Sequence, residues 1–258
     1  MLPEIHFFDS ITIYVYGLCI VVGGYLTVSY MAFYGKKELN IPRESIIYLA
    51  FIICIAAFIG GKFFFFLQNP KLYFGKPLNM LDSLNSGFVF FGSVIFVIPS
   101  ILWYFKKNNW PVLQMFDIMA FVGIIAQLFG RIGCLMAGCC YGIPTEGWMG
   151  IVFSNPKSAA PLNIHLHPTQ LYEITLIGSI GIFLFWFKDR KRFHGEVWFL
   201  YLILYSSGRI FTDMYRGDLV KSYIIQNILT HSQLISIILI SVAAVLYYLF
   251  KANNRFSI

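Results

Sequence analysis

The chain has 258 residues, of which 58% are hydrophobic and 12% charged, and its mean hydropathy is +0.71. A soluble domain carries roughly a quarter charged residues, so this composition excludes a soluble globular protein and indicates a polytopic membrane protein. The net charge of +7 does not indicate nucleic-acid binding, because the basic residues fall between apolar segments rather than along one stripe.

Seven apolar segments of roughly 17 to 25 residues are each long enough to cross a bilayer as a helix. They cover residues 11–34, 45–67, 87–105, 115–136, 170–187, 197–214 and 233–250. We therefore predict an all-α, polytopic membrane fold with seven transmembrane helices and a single domain over residues 1–258. The N-terminus lacks the positive region of a cleaved signal peptide, so we expect the first segment to be retained.

The basic residues of the connections predict the orientation of the chain in the membrane. One side carries eleven of them: Lys36, Lys37, Arg43, Lys106, Lys107, Lys188, Arg190, Lys191, Arg192, Lys251 and Arg255. The other side carries five: Lys71, Lys76, Lys157, Arg216 and Lys221. This asymmetry predicts an N-terminus outside and a C-terminus in the cytoplasm. The long connection 137–169, rich in Gly and Pro, then lies on the outer face as part of the expected site.

Two arginines lie inside otherwise apolar segments, Arg131 in the fourth and Arg209 in the sixth. A guanidinium at membrane depth costs about 3 kcal/mol by insertion scales, so it usually faces a cavity, a partner or a ligand. Asp213 and Arg216 follow Arg209 at helical spacing, which predicts that the three share one face. Arginine forks beside a carboxylate suit a phosphate group at the membrane surface. The simpler alternatives are an arginine that snorkels to the interface and an isolated ion pair.

Other polar residues lie close to these arginines in sequence or in predicted depth. Gln127 is one turn before Arg131 and shares its face. Glu173, at the start of the fifth helix, either favours the positive helix N-terminus or orients a nearby arginine. His167 is a candidate base, although a histidine next to a proline is more often structural.

The five cysteines do not form a disulfide framework, and no paired CxxC zinc spacing is present. We therefore predict neither a metal nor a cofactor. Cys139 or Cys140 is a candidate nucleophile for a covalent intermediate. Inert packing as a small hydrophobic residue is the preferred interpretation of both.

Short motifs in a fixed order resemble the prolipoprotein diacylglyceryl transferases over nearly the whole chain. The motifs start at Tyr16, Gly60, Gly87, Asp117, Gln127, His167, Arg209 and His231. The resemblance implies an enzyme of the bacterial inner membrane that moves the diacylglyceryl group of phosphatidylglycerol onto a lipobox cysteine of a preprolipoprotein. The product is a thioether, and glycerol phosphate leaves. Such a site must stabilise the leaving phosphate and generate a thiolate.

The resemblance also implies roles for individual residues. Arg131 and Arg209 match the arginines that handle the phospholipid, and Tyr16 and Glu173 match supporting polar residues. The expected catalytic residues are Arg131, Arg209, Asp213 and His167. The expected substrate-binding residues are Arg131, Arg209, Arg216, Tyr16, Gln127 and Glu173.

Four positions depart from the usual pattern of that family. Phe91 replaces a histidine, Cys134 an asparagine, Cys139 a glutamate, and Asp213 a longer glutamate. The changes keep the cationic residues and remove groups that can move protons. They leave two alternatives open: a phospholipid-dependent transferase with another acceptor, and a lipid-binding membrane protein without catalysis.

Overall fold

The computed structural model describes residues 2–7, 11–70, 87–218, 223–225 and 229–254. Within these ranges lie seven helices of 18 residues or more: α1 Val15–Leu39, α2 Arg43–Gln68, α3 Phe90–Lys107, α4 Val112–Ala137, α5 Thr169–Phe187, α6 Glu196–Met214 and α7 His231–Asn254. Lys71, Lys76, Lys221 and Arg255, which enter the predicted orientation, lie outside the described residues.

The structure is that of a mostly helical, multi-pass membrane protein. Five helical stretches among the described residues are long and apolar enough to cross a membrane: Val15–Leu39, Arg43–Gln68, Val112–Ala137, Thr169–Arg190 and His231–Ala252. Helices α3 and α6 are not among them, and in α6 the residues Glu196, Arg209 and Asp213 lower the apolar character. The predicted count of seven spans therefore stays a prediction.

Three short antiparallel strand pairs occur among the described residues, one before α1 and two in connections between helices, and the sequence did not predict them. Strand β1 (Glu4–Phe7) pairs with β2 (Ile11–Tyr14), β3 (Ile151–Val152) with β4 (His165–Leu166), and β5 (Tyr223–Ile225) with β6 (Leu229–Thr230). In the β3–β4 pair, Ile151 lies opposite Leu166 and Val152 opposite His165. The all-α prediction describes the long helices but not these strand pairs.

The chain divides into two compact units, and the first comprises Met1–Tyr30 and Phe116–Ile258. Its core is formed by α4, α5 and α6, with α6 also packed against α7. The buried side chains of this core are Ala120, Phe121, Ile124, Ile177, Ile180, Leu184, Val197 and Tyr201. Lipid tails are as apolar as these side chains, so close van der Waals packing holds such helices together.

A buried carboxylate fixes the start of α6 against the first turns of α4. Asp117 accepts hydrogen bonds from the backbone N–H groups of Gly195, at 2.9 Å, and Trp198, at 3.2 Å. It also accepts one from Nζ of Lys191 at 3.1 Å. These bonds satisfy donors that a helix N-terminus leaves without intrahelical partners. Helices α4 and α6 therefore start at the same end of the unit, and their C-terminal ends lie together with the N-terminus of α5.

The second unit, Met31–Met115, is built on the contact between α2 and α3. Gly60 and Gly92 face each other so closely that a Cβ on either would overlap the other's carbonyl oxygen. The hydroxyl of Ser93 donates to the carbonyl of Ala57 at 2.7 Å, across the same contact. Small residues thus allow the two backbones to approach, as is usual between membrane helices.

Candidate functional site

One buried carboxylate in the first unit joins the two arginines that lie within the apolar segments. Glu173, in the second turn of α5, has a side chain that is only 2% exposed. Its Oε2 atom lies 2.5 Å from Nε of Arg131, on α4. Its Oε1 atom accepts a hydrogen bond from Nη1 of Arg209, on α6. Glu173 therefore orients both guanidinium groups, which was one of the two roles considered for it.

Electrostatics explains why the three groups occur together. The side chains of Arg131 and Arg209 are 18% and 14% exposed, so both charges are largely removed from water. Two guanidinium groups at this depth repel each other unless a carboxylate lies between them. Each guanidinium has five N–H donors, and Glu173 engages a single nitrogen of each. Further donors on both groups therefore remain to bind oxygen atoms of a ligand.

Asp213 extends this cluster toward α7. Its Oδ1 atom lies 4.0 Å from Nη2 of Arg209, and its Oδ2 atom accepts a 2.6 Å hydrogen bond from the hydroxyl of Thr230. Both side chains of that hydrogen bond are buried. Asp213 thus pairs with Arg209, but the pair is not the isolated one of the simpler alternative, because Arg209 also bonds to Glu173. The bond to Thr230 connects this pair to the start of α7. Thr230 directly precedes the motif starting at His231 and was not among the predicted site residues.

Arg216 does not lie on the helical face of Arg209 and Asp213, and that prediction is wrong. Helix α6 ends at Met214, and residue 216 instead forms an antiparallel backbone bridge with Gly142. The guanidinium of Arg216 makes a two-pronged contact with Asp218, with Nε 3.0 Å from Oδ1 and Nη2 bonded to Oδ2. The pairing with the connection 137–169 therefore sets the position of Arg216.

His167 belongs to a different group of side chains from the arginines. Its Nδ1 atom lies 3.0 Å from the hydroxyl of Tyr172, and its ring meets the ring of Tyr215 edge-on at 5.1 Å. The backbone carbonyl of His167 accepts a hydrogen bond from the N–H of Gly142. In the described part of the chain, the imidazole is thus held by tyrosines and not by the Glu173 cluster.

Tyr16 and Gln127 lie on α1 and α4, close to the level of Arg131. A Cβ placed on Gly133 would lie 3.0 Å from Cδ2 of Tyr16, so this glycine lets α1 approach α4. The Oε1 atom of Gln127 is buried and has no hydrogen-bond partner among the described residues. A buried acceptor without a donor is costly, and a ligand hydroxyl or N–H group would satisfy it.

Three of the five cysteines meet at the end of α4. Gly138, with φ +75°, ends the helix in a left-handed conformation, and the N–H of Cys139 donates to the carbonyl of Cys134 at 3.1 Å. This hydrogen bond is that of a Schellman motif, which folds the chain back over the last helical turn. As a result, the Sγ atoms of Cys134, Cys139 and Cys140 all lie within 4.8 Å of one another.

The N-terminus of α5 holds this cysteine turn in place. The hydroxyl of Thr169 donates to the carbonyl of Cys140 at 2.6 Å, and the amide of Gln170 donates to the carbonyl of Cys139 at 2.8 Å. Hydrogen bonds from the Cys134 and Cys139 thiols, together with the guanidinium groups of Arg216 and Arg131, hold the pKa of Cys140 well below its usual range. One sulfur of the cluster is therefore favoured as a thiolate.

The fold and this site define a multi-pass membrane protein with a buried arginine–carboxylate cluster at one end of its helices. Sequence comparison adds a family to this class. The family model described as prolipoprotein diacylglyceryl transferase matches residues 3–249 of the chain. The chain belongs to that family of enzymes, and the resemblance seen in the ordered motifs is confirmed.

Curated relatives agree with the family match. The chain is 37% identical, over 218 residues, to a phosphatidylglycerol–prolipoprotein diacylglyceryl transferase of Clostridium tetani. The matched region covers 84% of this chain and 86% of the relative. The chain is 32% identical, over 247 residues, to a second such transferase of Clostridium perfringens, with coverage of 95% and 94%. Both similarities extend over nearly the full length of the proteins compared.

Proposed function

We propose that this protein transfers the diacylglyceryl group of phosphatidylglycerol to the thiol of a lipobox cysteine in a preprolipoprotein. The carbon–oxygen bond to phosphate breaks, a thioether forms, and glycerol phosphate leaves. The observation that carries this proposal is the contact of Arg131 and Arg209 with one buried carboxylate, Glu173. The family and the names of the relatives supply the reaction type and the lipid.

The two guanidinium groups are proposed to bind the phosphate of the lipid and to stabilise the charge that develops as it leaves. Preorganised donors in a site with little water stabilise such charge strongly, because they need not reorganise during the reaction. Glu173 keeps Arg131 and Arg209 at a fixed separation before the lipid arrives. Asp213 is proposed to act on the reaction through Arg209, which it pairs with at 4.0 Å.

The remaining polar residues are proposed to bind the headgroup and the incoming thiol. The unpartnered Oε1 atom of Gln127 suits a hydroxyl of the glycerol headgroup, and Tyr16 and Arg216 are assigned to lipid binding. His167 is assigned as a proton acceptor, since its ring already exchanges a hydrogen bond with the hydroxyl of Tyr172. We also propose that the protein lies in the bacterial inner membrane, with this site facing outward.

Purified protein in detergent, phosphatidylglycerol vesicles and a synthetic lipobox peptide provide the test. We expect diacylglyceryl-modified peptide, detected by mass spectrometry, and a loss on the order of 10²-fold for Arg209→Ala. Arg190→Ala is the matched control, because Arg190 is an exposed arginine that stacks on the ring of Trp186 and donates to its carbonyl, away from the Glu173 cluster.

Two results would contradict this proposal. One is the absence of transfer both with purified protein and in cells depleted of their own transferase. Saturable binding of phosphatidylglycerol without any modified peptide would instead favour a lipid-binding protein that has lost catalysis. Modification of a different acceptor would point to the other alternative left open by Phe91 and Cys139.

A further inference from the structure

The three clustered cysteines have a geometry that fits a metal ion. In a tetrahedral Zn²⁺ site, Zn–S bonds of about 2.3 Å put neighbouring sulfur atoms about 3.8 Å apart. The Sγ atoms of Cys134, Cys139 and Cys140 already lie within 4.8 Å of one another. Small side-chain rotations therefore bring all three to one ion, while the Schellman turn and the bonds from Thr169 and Gln170 hold their backbone.

The cluster offers three protein ligands and leaves the fourth position open. No further His, Cys, Asp or Glu side chain joins this group among the residues that the structure describes. Structural zinc sites usually have four protein ligands, whereas catalytic ones have three and keep a position for water or substrate. Three thiolates with Zn²⁺ carry one negative charge, and the nearby guanidinium groups of Arg131 and Arg216 offset it.

We propose that Cys134, Cys139 and Cys140 bind a Zn²⁺ ion whose open position takes the lipobox cysteine thiol and delivers it as a thiolate. This inference rests on the proposed transfer reaction, and it assigns the thiol-activating group. Cys139 stands where the resemblance implies a glutamate, so this turn carries a thiol in place of a carboxyl group that can move a proton. A metal-bound thiol is deprotonated without such a group, because the ion itself lowers the thiol pKa.

The reaction balances without a further co-reactant. The lipobox thiol loses its proton to solvent as its sulfur binds Zn²⁺. The sulfur lone pair then forms a bond to the glycerol carbon that carries the phosphate ester, and the carbon–oxygen bond breaks. Glycerol phosphate leaves with the bonding electrons, beside Arg131 and Arg209. The thioether product is a weak zinc ligand and dissociates, which returns the three-cysteine site.

Metal analysis of the full-length protein, purified in detergent under reducing and oxygen-free conditions, tests the site directly. We expect one Zn²⁺ per chain by mass spectrometric metal analysis. Cys134→Ser, Cys139→Ser and Cys140→Ser should each lose most of the zinc, and Cys54→Ser should retain it. Cys54 is a suitable control because it is an exposed cysteine on α2, outside the cluster. Wild-type protein without zinc, or zinc retained in all three variants, would overturn the proposal.

Cobalt substitution tests whether the open position takes a thiol. Co²⁺ bound to three thiolates gives sulfur-to-metal charge-transfer bands. A fourth sulfur ligand should increase the intensity of these bands and of the visible absorption bands of the Co²⁺ ion. We expect this change with the lipobox peptide and not with its cysteine-to-serine form. An unchanged cobalt spectrum overturns the proposal. Copper in place of zinc also overturns it, since three thiolates saturate Cu⁺.

Transfer assays on the same preparations separate this inference from the proposed function. We expect chelation of zinc to lower transfer by on the order of 10²-fold, as for loss of a group that handles the proton. Restored zinc should restore the rate. Transfer at full rate by zinc-free protein would overturn the metal site and leave the proposed function intact. Zinc-loaded protein that binds the peptide thiol but transfers nothing would support the metal site and contradict the proposed function.

Discussion

A single carboxylate determines the arrangement of the candidate site at the level of residues. Glu173 is almost fully buried, yet it contacts two guanidinium groups from different helices. Removing one partner of a buried ion pair leaves an uncompensated charge, and such changes are far more destabilising than breaking exposed pairs. The same carboxylate thus stabilises the fold and fixes the distance between the two arginines that are proposed to bind phosphate.

Glu173→Gln tests this double role, because it keeps the volume of the side chain and removes its charge. We expect transfer to fall by on the order of 10²-fold, since the two arginines repel each other once the carboxylate is gone. The apparent melting temperature in detergent should also fall. Glu146→Gln is the matched control, because Glu146 is exposed in the connection 137–169. Wild-type rate and stability in the Glu173 variant would contradict the shared-carboxylate argument.

Sequence alone indicated the charged residues of the site more accurately than its cysteines. A guanidinium inside an apolar segment requires a partner wherever the helices meet, so Arg131 and Arg209 were identifiable from their surroundings. The cysteine cluster depends on the backbone of a Schellman turn at Gly138. The motif Cys134-X4-Cys139-Cys140, with a glycine before the second cysteine, is the signal that would have predicted it.

At the level of elements, the position of α6 depends on its two ends. Its C-terminal half carries Arg209 and Asp213, and its N-terminus is held by Asp117 of α4. With 19 residues, α6 is about 28 Å long at 1.5 Å per residue, close to the hydrocarbon thickness of a bilayer. A shift at the Asp117 end therefore moves the arginine at the other end.

Asp117→Ala removes the acceptor of two backbone N–H groups and of Lys191. We expect a loss of about 1–3 kcal/mol in the free energy of unfolding, because buried donors are left without partners. Asp189→Ala is the control, since Asp189 is exposed in the turn Lys188–Arg190. Unfolding by heat or denaturant, measured in detergent, gives the comparison. Equal stability of the two variants would show that the hydrogen bonds to Asp117 do not hold the N-terminus of α6.

The contact between α2 and α3 gives a second prediction for an element. A Cβ on Gly60 would overlap the carbonyl oxygen of Gly92 and Cβ of Phe96, so Gly60→Ala should destabilise the protein by about 1–3 kcal/mol. Gly24→Ala is the matched control, because a Cβ there has no neighbour within 4 Å. The measurement is again the unfolding transition in detergent. If the Gly60 variant were as stable as the Gly24 variant, α2 and α3 could move apart without any loss in the free energy of unfolding.

The elements were predictable to different degrees from the sequence. Each of the seven apolar segments contains a long helix, because a backbone in lipid must satisfy its hydrogen bonds within the helix. The first helix starts at Val15 rather than at residue 11, since Ile11–Tyr14 forms strand β2. Helix α3 starts at Phe90 rather than at residue 87, since Gly87 has a positive φ of 72° and its carbonyl accepts a bond from Lys62. The strand pairs were not predictable, because strands of two to four residues are too short to show a clear alternating pattern.

For the whole molecule, the distribution of charge along the chain predicts which face of the membrane carries the site. An odd number of spans, whether five or seven, puts the two termini on opposite sides. The ends of α4 and α6 that carry Arg131 and Arg209 lie on the side of the connection 137–169, which has fewer basic residues than the other side. Such a side faces outward under the positive-inside rule, where exported lipoprotein precursors meet the membrane.

Reporter fusions test this orientation. We expect alkaline phosphatase inserted after Pro156, within the connection 137–169, to be active in cells, because that enzyme folds only outside the cytoplasm. Green fluorescent protein fused after the last residue, Ile258, should fluoresce, because it matures in the cytoplasm. The control exchanges the two reporters between these sites. Alkaline phosphatase after Ile258 should then be inactive, and green fluorescent protein after Pro156 should not fluoresce. An active phosphatase at the C-terminus would reverse the assignment and place the arginine cluster at the cytoplasmic face, away from the lipobox cysteine that it is proposed to serve.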